Sequence, residues 1–354
     1  MSILLSLAGV VAIVIVVMIN TIVVMYMERK VLAHVQSRLG PMVTGWHGVL
    51  QPIADAVKLL AKEDLIPAQA DRLLFWLAPV MSFVPAVLVY IAMPWTGMLG
   101  VELDVGIFLV FGVAALFPVG LLVAGWASHN KYSLLGGFRA AAQQVSYEVP
   151  MLMSVMGVVM LTGSMKLSAI VEAQSPIWHV FTQPLALLLY VIGILAELNR
   201  VPFDMPEAES ELVGGFNVEY SSMRFALFFV AEYVNMFTLS LLGAMLFFGG
   251  WGADPSYGWV VLMAKTYTIV LFIIVTRGTL PRIRVDQLMS VGWKLLVPAA
   301  ILNVFLTAVG IVVGTPALVA LEWAAAALFV LIVIRVSGRT SPAASKAAAG
   351  EVAA

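Results

Sequence analysis

Cysteine is absent from this chain of 354 residues. That excludes disulfides, a catalytic thiol and any iron–sulfur cluster held by the chain's own cysteines. Histidine is scarce: His34, His47, His129 and His179 stand apart, without a CxxCH, a HExxH or any other ligand spacing, so the residues point to no haem and no metal site. Charge is scarce too. Asp, Glu, Lys and Arg make up 11% of the residues, against about 25% in ordinary soluble domains. With a net charge of −1 and no basic domain, nothing suggests nucleic acid.

What fills the space is apolar: 62% of residues are of hydrophobic type, and the mean hydropathy is +1.02. A hydrocarbon core about 30 Å thick takes around 20 apolar residues per helix. Runs of roughly that length fall near 3–27, 73–93, 106–126, 149–163, 184–198, 225–248, 259–276, 295–313 and 316–336. They predict an all-α, polytopic integral membrane protein of about nine transmembrane helices, forming a single domain over 1–340. An Ala-rich tail, 341–354, is expected to be disordered. The first run has no basic leader and no small-residue cleavage site, so it reads as a retained helix. No repeat of fixed period is visible.

All Lys and Arg except Lys166 and Lys265 follow odd-numbered spans or lie in the tail. The positive-inside rule therefore puts the N-terminus outside and the C-terminus in the cytoplasm. Between the first two spans, Val49, Ile53, Val57 and Leu60 fall within about 80° of one another on a helical wheel, with Gln51, Asp55, Lys58 and Lys62 opposite. Such a segment reads either as an amphipathic helix on the cytoplasmic membrane surface or as a solvated connector.

An ionisable group at mid-membrane costs at least about 2.5 kcal/mol and is presumed functional unless it reaches the surface. Glu148 opens the fourth span, Glu197 closes the fifth, and Glu232 and Lys265 lie inside the sixth and seventh. Lys265 either reaches the outer surface or pairs with a carboxylate, and Glu322, near the outer end of the last span, is expected to snorkel. The fifth run is short, roughly 22 Å of helix, unless 176–183 extend it with Pro184 as a kink. After it come Asp204, Glu207, Glu209 and Glu211, flanked by Glu197, Arg200 and Glu219. The bland reading is a solvated acidic loop. The apolar neighbours favour a partly dry one, in which crowded carboxylates cannot all ionise and some pKa values rise.

Several stretches also carry a family signature. Glu28-Arg29-Lys30, Arg38-Leu39-Gly40-Pro41 and Gln51-Pro52-Ile53-Ala54-Asp55-Ala56-Val57-Lys58 form the first; Ala196-Glu197-Leu198-Asn199-Arg200-Val201-Pro202-Phe203-Asp204, continuing to Glu219-Tyr220, forms the second. Together with Ser146-Tyr147-Glu148 and Asp286-Gln287-Leu288-Met289, they resemble the H subunit of bacterial NADH-quinone oxidoreductase, respiratory complex I. Met42 and Trp46-His47 depart from the family pattern in the loop before the surface helix.

The resemblance implies a membrane subunit of a proton-translocating oxidoreductase in the bacterial cytoplasmic membrane. Quinone is its substrate, and the chain itself holds no flavin, haem or iron–sulfur cluster. Implied partners are the peripheral-arm subunits at the quinone site, including the one with the terminal iron–sulfur cluster, and small and antiporter-like membrane subunits. The quinone tail would pass between the first span, the surface helix and the sixth span. Arg29, Arg38, Asp55, Arg200 and Phe228 are then the implied cavity positions. Glu148, Glu197, Glu207, Glu209, Glu211 and Glu232 match the family's chain of acids, and Tyr147 adds a hydroxyl. Rival readings are the homologous membrane anchor of a hydrogenase or formate hydrogenlyase complex, a stand-alone proton-linked transporter, and a purely structural anchor.

Overall fold

The computed structural model describes residues 2–94, 102–206, 209–252 and 257–351. Among these the chain is helical throughout, with no strand. The elements are α1 (Ser2–Val35), α2 (Gln51–Ala61), α3 (Arg72–Leu88), α4 (Gly106–Ala114), α5 (Phe117–Ala127), α6 (Lys131–Thr162), α7 (Leu167–Ala173), α8 (His179–Thr182), α9 (Pro184–Glu197), α10 (Glu209–Leu212), α11 (Ser222–Phe247), α12 (Gly258–Thr279), α13 (Val285–Val291), α14 (Val297–Val313) and α15 (Thr315–Glu351). Eight segments are long and apolar enough to cross a membrane, and α9 is a shorter apolar helix. Eight of the nine expected spans thus have a full-length counterpart, and the fifth does not.

Local chemistry sets the boundaries. The Asp71 carboxylate accepts hydrogen bonds from the backbone N–H groups of Leu73 and Leu74 and starts α3; the Asn130 side chain does the same for Tyr132 at the head of α6. Gly163, in the left-handed conformation at φ 68°, ends α6. α4 and α5 together make one span, interrupted just before Pro118. α13 runs into α14 through a wider π turn at Gly292–Leu296.

One span boundary differs from the sequence expectation. The fourth span begins at Lys131, so its helix has 32 residues and is about 48 Å long. Lys131, Arg139 and the glutamines depress its hydropathy, yet Gly136, Gly137, Ala140, Gln143 and Gln144 are buried against neighbouring helices. Glu148 consequently sits mid-helix. Pro184 is the first residue of α9 and not a kink, because α8 ends at Thr182. The backbone of α15 continues as helix to Glu351, through the stretch expected to lack order; alanine has the highest helix propensity.

α11 is the centre of the bundle and packs against α1, α3, α9 and α12, while α6 contacts α5, α9 and α14, and α15 packs against α14, α9 and α8. Helices in lipid gain no hydrophobic drive from each other and rely on close approach at small residues. A Cβ on Gly136 would stand 2.6 Å from the backbone of Gly215, and one on Gly125 2.6 Å from the carbonyl oxygen of Ser133. These contacts hold α6 to α5 and to the turn before α11. Gly136→Ala is expected to cost about 1–3 kcal/mol or more in unfolding of the purified protein in mixed micelles. Gly112→Ala, where a Cβ meets nothing within 4 Å, should leave the transition unchanged.

Candidate functional site

A polar cavity of about 620 Å³ opens between the end of α1, the 38–41 loop, α2, α11 and α12. Glu28, Arg29, Leu32, Gln36, Arg38, Leu39, Gln51, Val201, Tyr233 and Arg277 line it. Its inner wall is charged. Glu28, only 3% exposed, takes an ion pair from Arg277 and another from Arg200 at 3.2 Å, both on the same carboxylate oxygen. Arg200 extends to Glu232 at 3.9 Å, and its guanidinium lies 5.0 Å above the Tyr233 ring. Arg200, Glu28 and Glu232 are thus buried together and the half-buried Arg277 reaches in to them, an arrangement of paired charges in which burial is tolerated.

Arg200 reaches this place because α9 is short. The helix ends at Glu197, Asn199 adopts φ 50°, and the Arg200 N–H returns to the Leu195 carbonyl at 3.2 Å. A left-handed residue closing a helix in this way turns the chain sharply. From α6, Gln143 donates to the carbonyls of Ala196 and Phe203 at 2.8 and 2.7 Å, and Gln144 to the carbonyl of Glu197 at 3.0 Å. The segment carrying the second signature is therefore clamped.

At the outer rim, Arg29 and Asp55 form an ion pair between α1 and α2. Gln51 donates to Asp55 at 3.0 Å and accepts from Thr44 at 2.6 Å. Burial pushes the Asp55 carboxyl up, but the hydrogen bonds from Arg29 and Gln51 and the Arg29 and Lys58 charges together hold it below its ordinary range. α2 is the amphipathic helix expected there: Ile53, Val57 and Leu60 are exposed on one side of it. Arg38 lines the cavity and donates to Gln36 at 2.7 Å. Phe228 does not line it. Its ring is packed between Phe216 and Tyr220 in an aromatic cluster, and, lying beyond both signatures, it carried no sign of which helix face it occupies.

The acids divide into three groups. Glu232 belongs to the charge network. Glu148 and Glu197 line one small cavity with Asn235 and Thr238, between α6, α9 and α11, and Glu197 is 6% exposed. Tyr147 beside them is fully buried and donates its hydroxyl to the Leu288 carbonyl at 2.9 Å. Glu211 is exposed and pairs with Arg139 at 2.6 Å and Arg282 at 3.4 Å. The Arg139 hydrogen bond, and then the charges of Arg282, Arg139 and Arg284, outweigh its slight desolvation and hold its carboxyl below the usual range. For this residue the expected rise is reversed. Glu219 accepts from Asn130 at 2.7 Å. Glu207 lies outside the described residues, and Glu209 opens α10.

Two further expectations are settled by contacts. Lys265 is half-buried and meets no carboxylate among the described residues: its ammonium donates to the carbonyls of Phe248 and Gly250 at 2.6 and 3.0 Å and lies over the Trp178 ring. It thereby satisfies carbonyls beyond the end of α11. Glu322 does not snorkel, being wholly buried against α14. Glu28, Tyr233 and Arg277 were missed as network members; only Glu28 had a signal, its place in the first signature.

A family model described as NADH dehydrogenase matches residues 8–308. The chain belongs to the NADH dehydrogenase family. Within it, the curated H subunit of the NADH-quinone oxidoreductase of Geobacillus kaustophilus is 50% identical over 288 residues, covering 80% of this chain and 86% of the relative. The corresponding H subunit of Brevibacillus brevis is 50% identical over 292 residues, with 80% and 86% covered. That of Dehalococcoides mccartyi is 44% identical over 299 residues, with 84% of each covered. The family match takes in the whole Glu28–Arg277 network and stops short of Glu322.

Two outcomes are expected. Removing Arg200 leaves buried carboxylate oxygens short of a partner, so Arg200→Ala should lose about 3–5 kcal/mol in mixed-micelle unfolding. Arg200→Lys should recover part of this, since a compact ammonium cannot serve two carboxylates with a planar fork. Because the Glu211 pKa is lowered in the folded state, its tether to Arg139 and Arg282 is complete above the ordinary carboxylate range and is lost as the pH falls through the lowered value. Amide exchange in 209–212 should accelerate in that acidic window, and Glu211→Gln should exchange fast on both sides of it.

Proposed function

We propose that this chain is the membrane subunit of a proton-translocating NADH-quinone oxidoreductase, in which it lines the quinone cavity and carries part of a proton path. The observation that carries this reading is the junction of two features at Arg200: a cavity of about 620 Å³, within the size range of small-molecule sites, and a line of buried acids leading inward from its wall. Apolar Leu32 and Leu39 beside Arg29 and Arg38 suit an isoprenoid chain ending in a polar ring. α1, α2 and α11 frame the opening, and the exposed apolar side of α2 lies on the bilayer.

Reducing a quinone to a hydroquinone consumes two electrons and two protons. The electrons come from the iron–sulfur cluster of a peripheral partner, and the change in charge is felt at the cavity wall. Arg200 lies between Glu28 and Glu232, so a shift of its guanidinium toward either carboxylate changes the proton affinity of the other. From Glu232 the change reaches the Glu148 and Glu197 pair, and the clamped Glu197–Glu219 segment passes it to the small and antiporter-like membrane subunits. The coupling is electrostatic and conformational. The distribution of Lys and Arg supports an orientation with the N-terminus outside and the C-terminus in the cytoplasm of a bacterial cell.

Glu197→Gln in the assembled complex is expected to lower NADH:quinone turnover and proton pumping by about tenfold or more. Electron transfer from NADH to hydrophilic artificial acceptors should be unchanged. Wild-type turnover and pumping in that variant would remove the relay from this reading, and copurification with hydrogenase subunits instead of an NADH-oxidising arm would replace it.

A further inference from the structure

The second buried carboxylate system lies at the other end of α9. Gln183, the residue before that helix, and Arg200 just after it are separated by roughly 20 Å of helix. Around Gln183 four polar side chains from three segments meet, and each is 0% exposed: Gln183, Asn303 and Thr307 of α14, and Glu322 of α15. Gln183 donates to the Thr307 hydroxyl at 3.1 Å, and that hydroxyl lies 3.5 Å from a carboxylate oxygen of Glu322 while donating at 2.9 Å to the Asn303 backbone carbonyl. α6 leaves room for the cluster by offering Gly157. A Cβ there would stand 2.6 Å from the Asn303 amide nitrogen, 3.3 Å from the Gln183 carbonyl oxygen and 3.4 Å from the Thr307 hydroxyl, so three polar tips converge on one spot.

The cluster is short of positive charge, and its unpaired acceptors outnumber its one unpaired donor group, the Asn303 amide nitrogen. Glu322 Oε2, Gln183 Oε1 and Asn303 Oδ1 are buried acceptors with no hydrogen-bond partner among the described residues, and no Lys or Arg there forms an ion pair with Glu322. α14 has no ionisable residue at all. α8 supplies only His179, whose Nδ1 faces the Leu246 carbonyl at 3.0 Å. The ionisable groups of α9 are Tyr190, which donates to the Leu239 carbonyl, and Glu197 at its far end; α6 brings Tyr147 and Glu148 in its middle turns, nearer the Arg200 end. An isolated carboxylate in such surroundings takes up a proton sooner than it stays charged.

We propose that Glu322, with Thr307, Asn303 and Gln183, forms a second proton-binding site, independent of the quinone reading; its carboxylate lies outside the residues 8–308 that the family model matches. Its ligand is a hydron on the Glu322 carboxyl. The bound proton neutralises the carboxyl and adds a donor beside the Asn303 amide nitrogen, and the amide oxygens of Gln183 and Asn303 are the acceptors that hold it. Gly157 is the small residue that lets α6 close over the site.

Infrared difference spectra of the native complex test this. Wild type minus Glu322→Gln should show, at neutral pH, the loss of one protonated-carboxyl C=O band that shifts in heavy water. Asn303→Leu and Thr307→Val should each displace that band without abolishing it, which keeps the test intact if Glu322→Gln fails to assemble. NADH oxidation by hydrophilic acceptors, a peripheral reaction, should be unchanged in all three. Carboxylate bands in place of the C=O band would overturn the proposal. So would conversion of the band to carboxylate by added sodium at constant pH, which would make this an alkali-cation site, or its indifference to all three substitutions.

Discussion

Charge inside a lipid-embedded bundle survives only in company, and here the company is the Glu28 carboxylate. One of its oxygens receives guanidinium groups from two directions, Arg200 from the end of α9 and Arg277 from α12. α1, which carries Glu28, is thereby tied to a helix that precedes the acidic segment and to one that follows it. With Glu232 of α11 the network joins four membrane helices around the wall of one cavity. Replacing such a network with apolar side chains of similar volume is often neutral or favourable for stability. Its presence therefore asks for a reason other than folding, and a cavity at its edge is a site where that reason could act.

Much of the architecture was legible because the bilayer imposes a simple length rule. Eight of the nine apolar runs became long helices, and the wheel over 49–62 became α2. The rule failed where burial is against protein instead of lipid. The first half of α6 is dilute in hydropathy, yet its glycines and glutamines face α5, the 196–203 segment and the Gly215 turn. The functional residues follow the same division. Glu148, Glu197 and Glu232 stand out in any apolar background; the structure buries Glu197 and Glu232 and leaves Glu148 half-buried. Glu28 and Arg277 are 249 positions apart in the chain, sit at the polar ends of their helices and look like ordinary boundary charges; only the fold pairs them. Glu211 shows the converse. Neighbouring acids in sequence suggested mutual repulsion, but Arg139 and Arg282, supplied from elsewhere, decide its titration.

The brevity of α9 links the site to the rest of the bundle. A helix of 14 residues is about 21 Å long and does not reach across the hydrocarbon layer, so polar residues at both of its ends are drawn below the level that a full-length helix would give them. At one end stand Glu197 and Arg200, at the other Gln183. Backbone groups freed there need partners within the protein, because lipid offers none. α6 provides them for the 196–203 segment through Gln143 and Gln144, and α8 provides one at the other end through the His179 carbonyl, which accepts from the Gln183 N–H at 2.7 Å.

From this it follows that α6 is the structural counterpart of α9 along its whole length. Its glutamines hold the end beside the cavity, Glu148 faces Glu197 across one small space, and Gly157 makes room for the amides at the opposite end. A displacement of α9 along its axis would strain the glutamine clamps at once, so the two helices are constrained to move together if they move at all. In the proposed function that constraint matters more than any single acid. Arg200 and Glu197 are three residues apart on one clamped segment, and a guanidinium that shifts between Glu28 and Glu232 works against a frame that does not yield. The free energy of the charge change is then left to act on the protonation of Glu232, Glu197 and Glu148, the groups that can respond without breaking the packing.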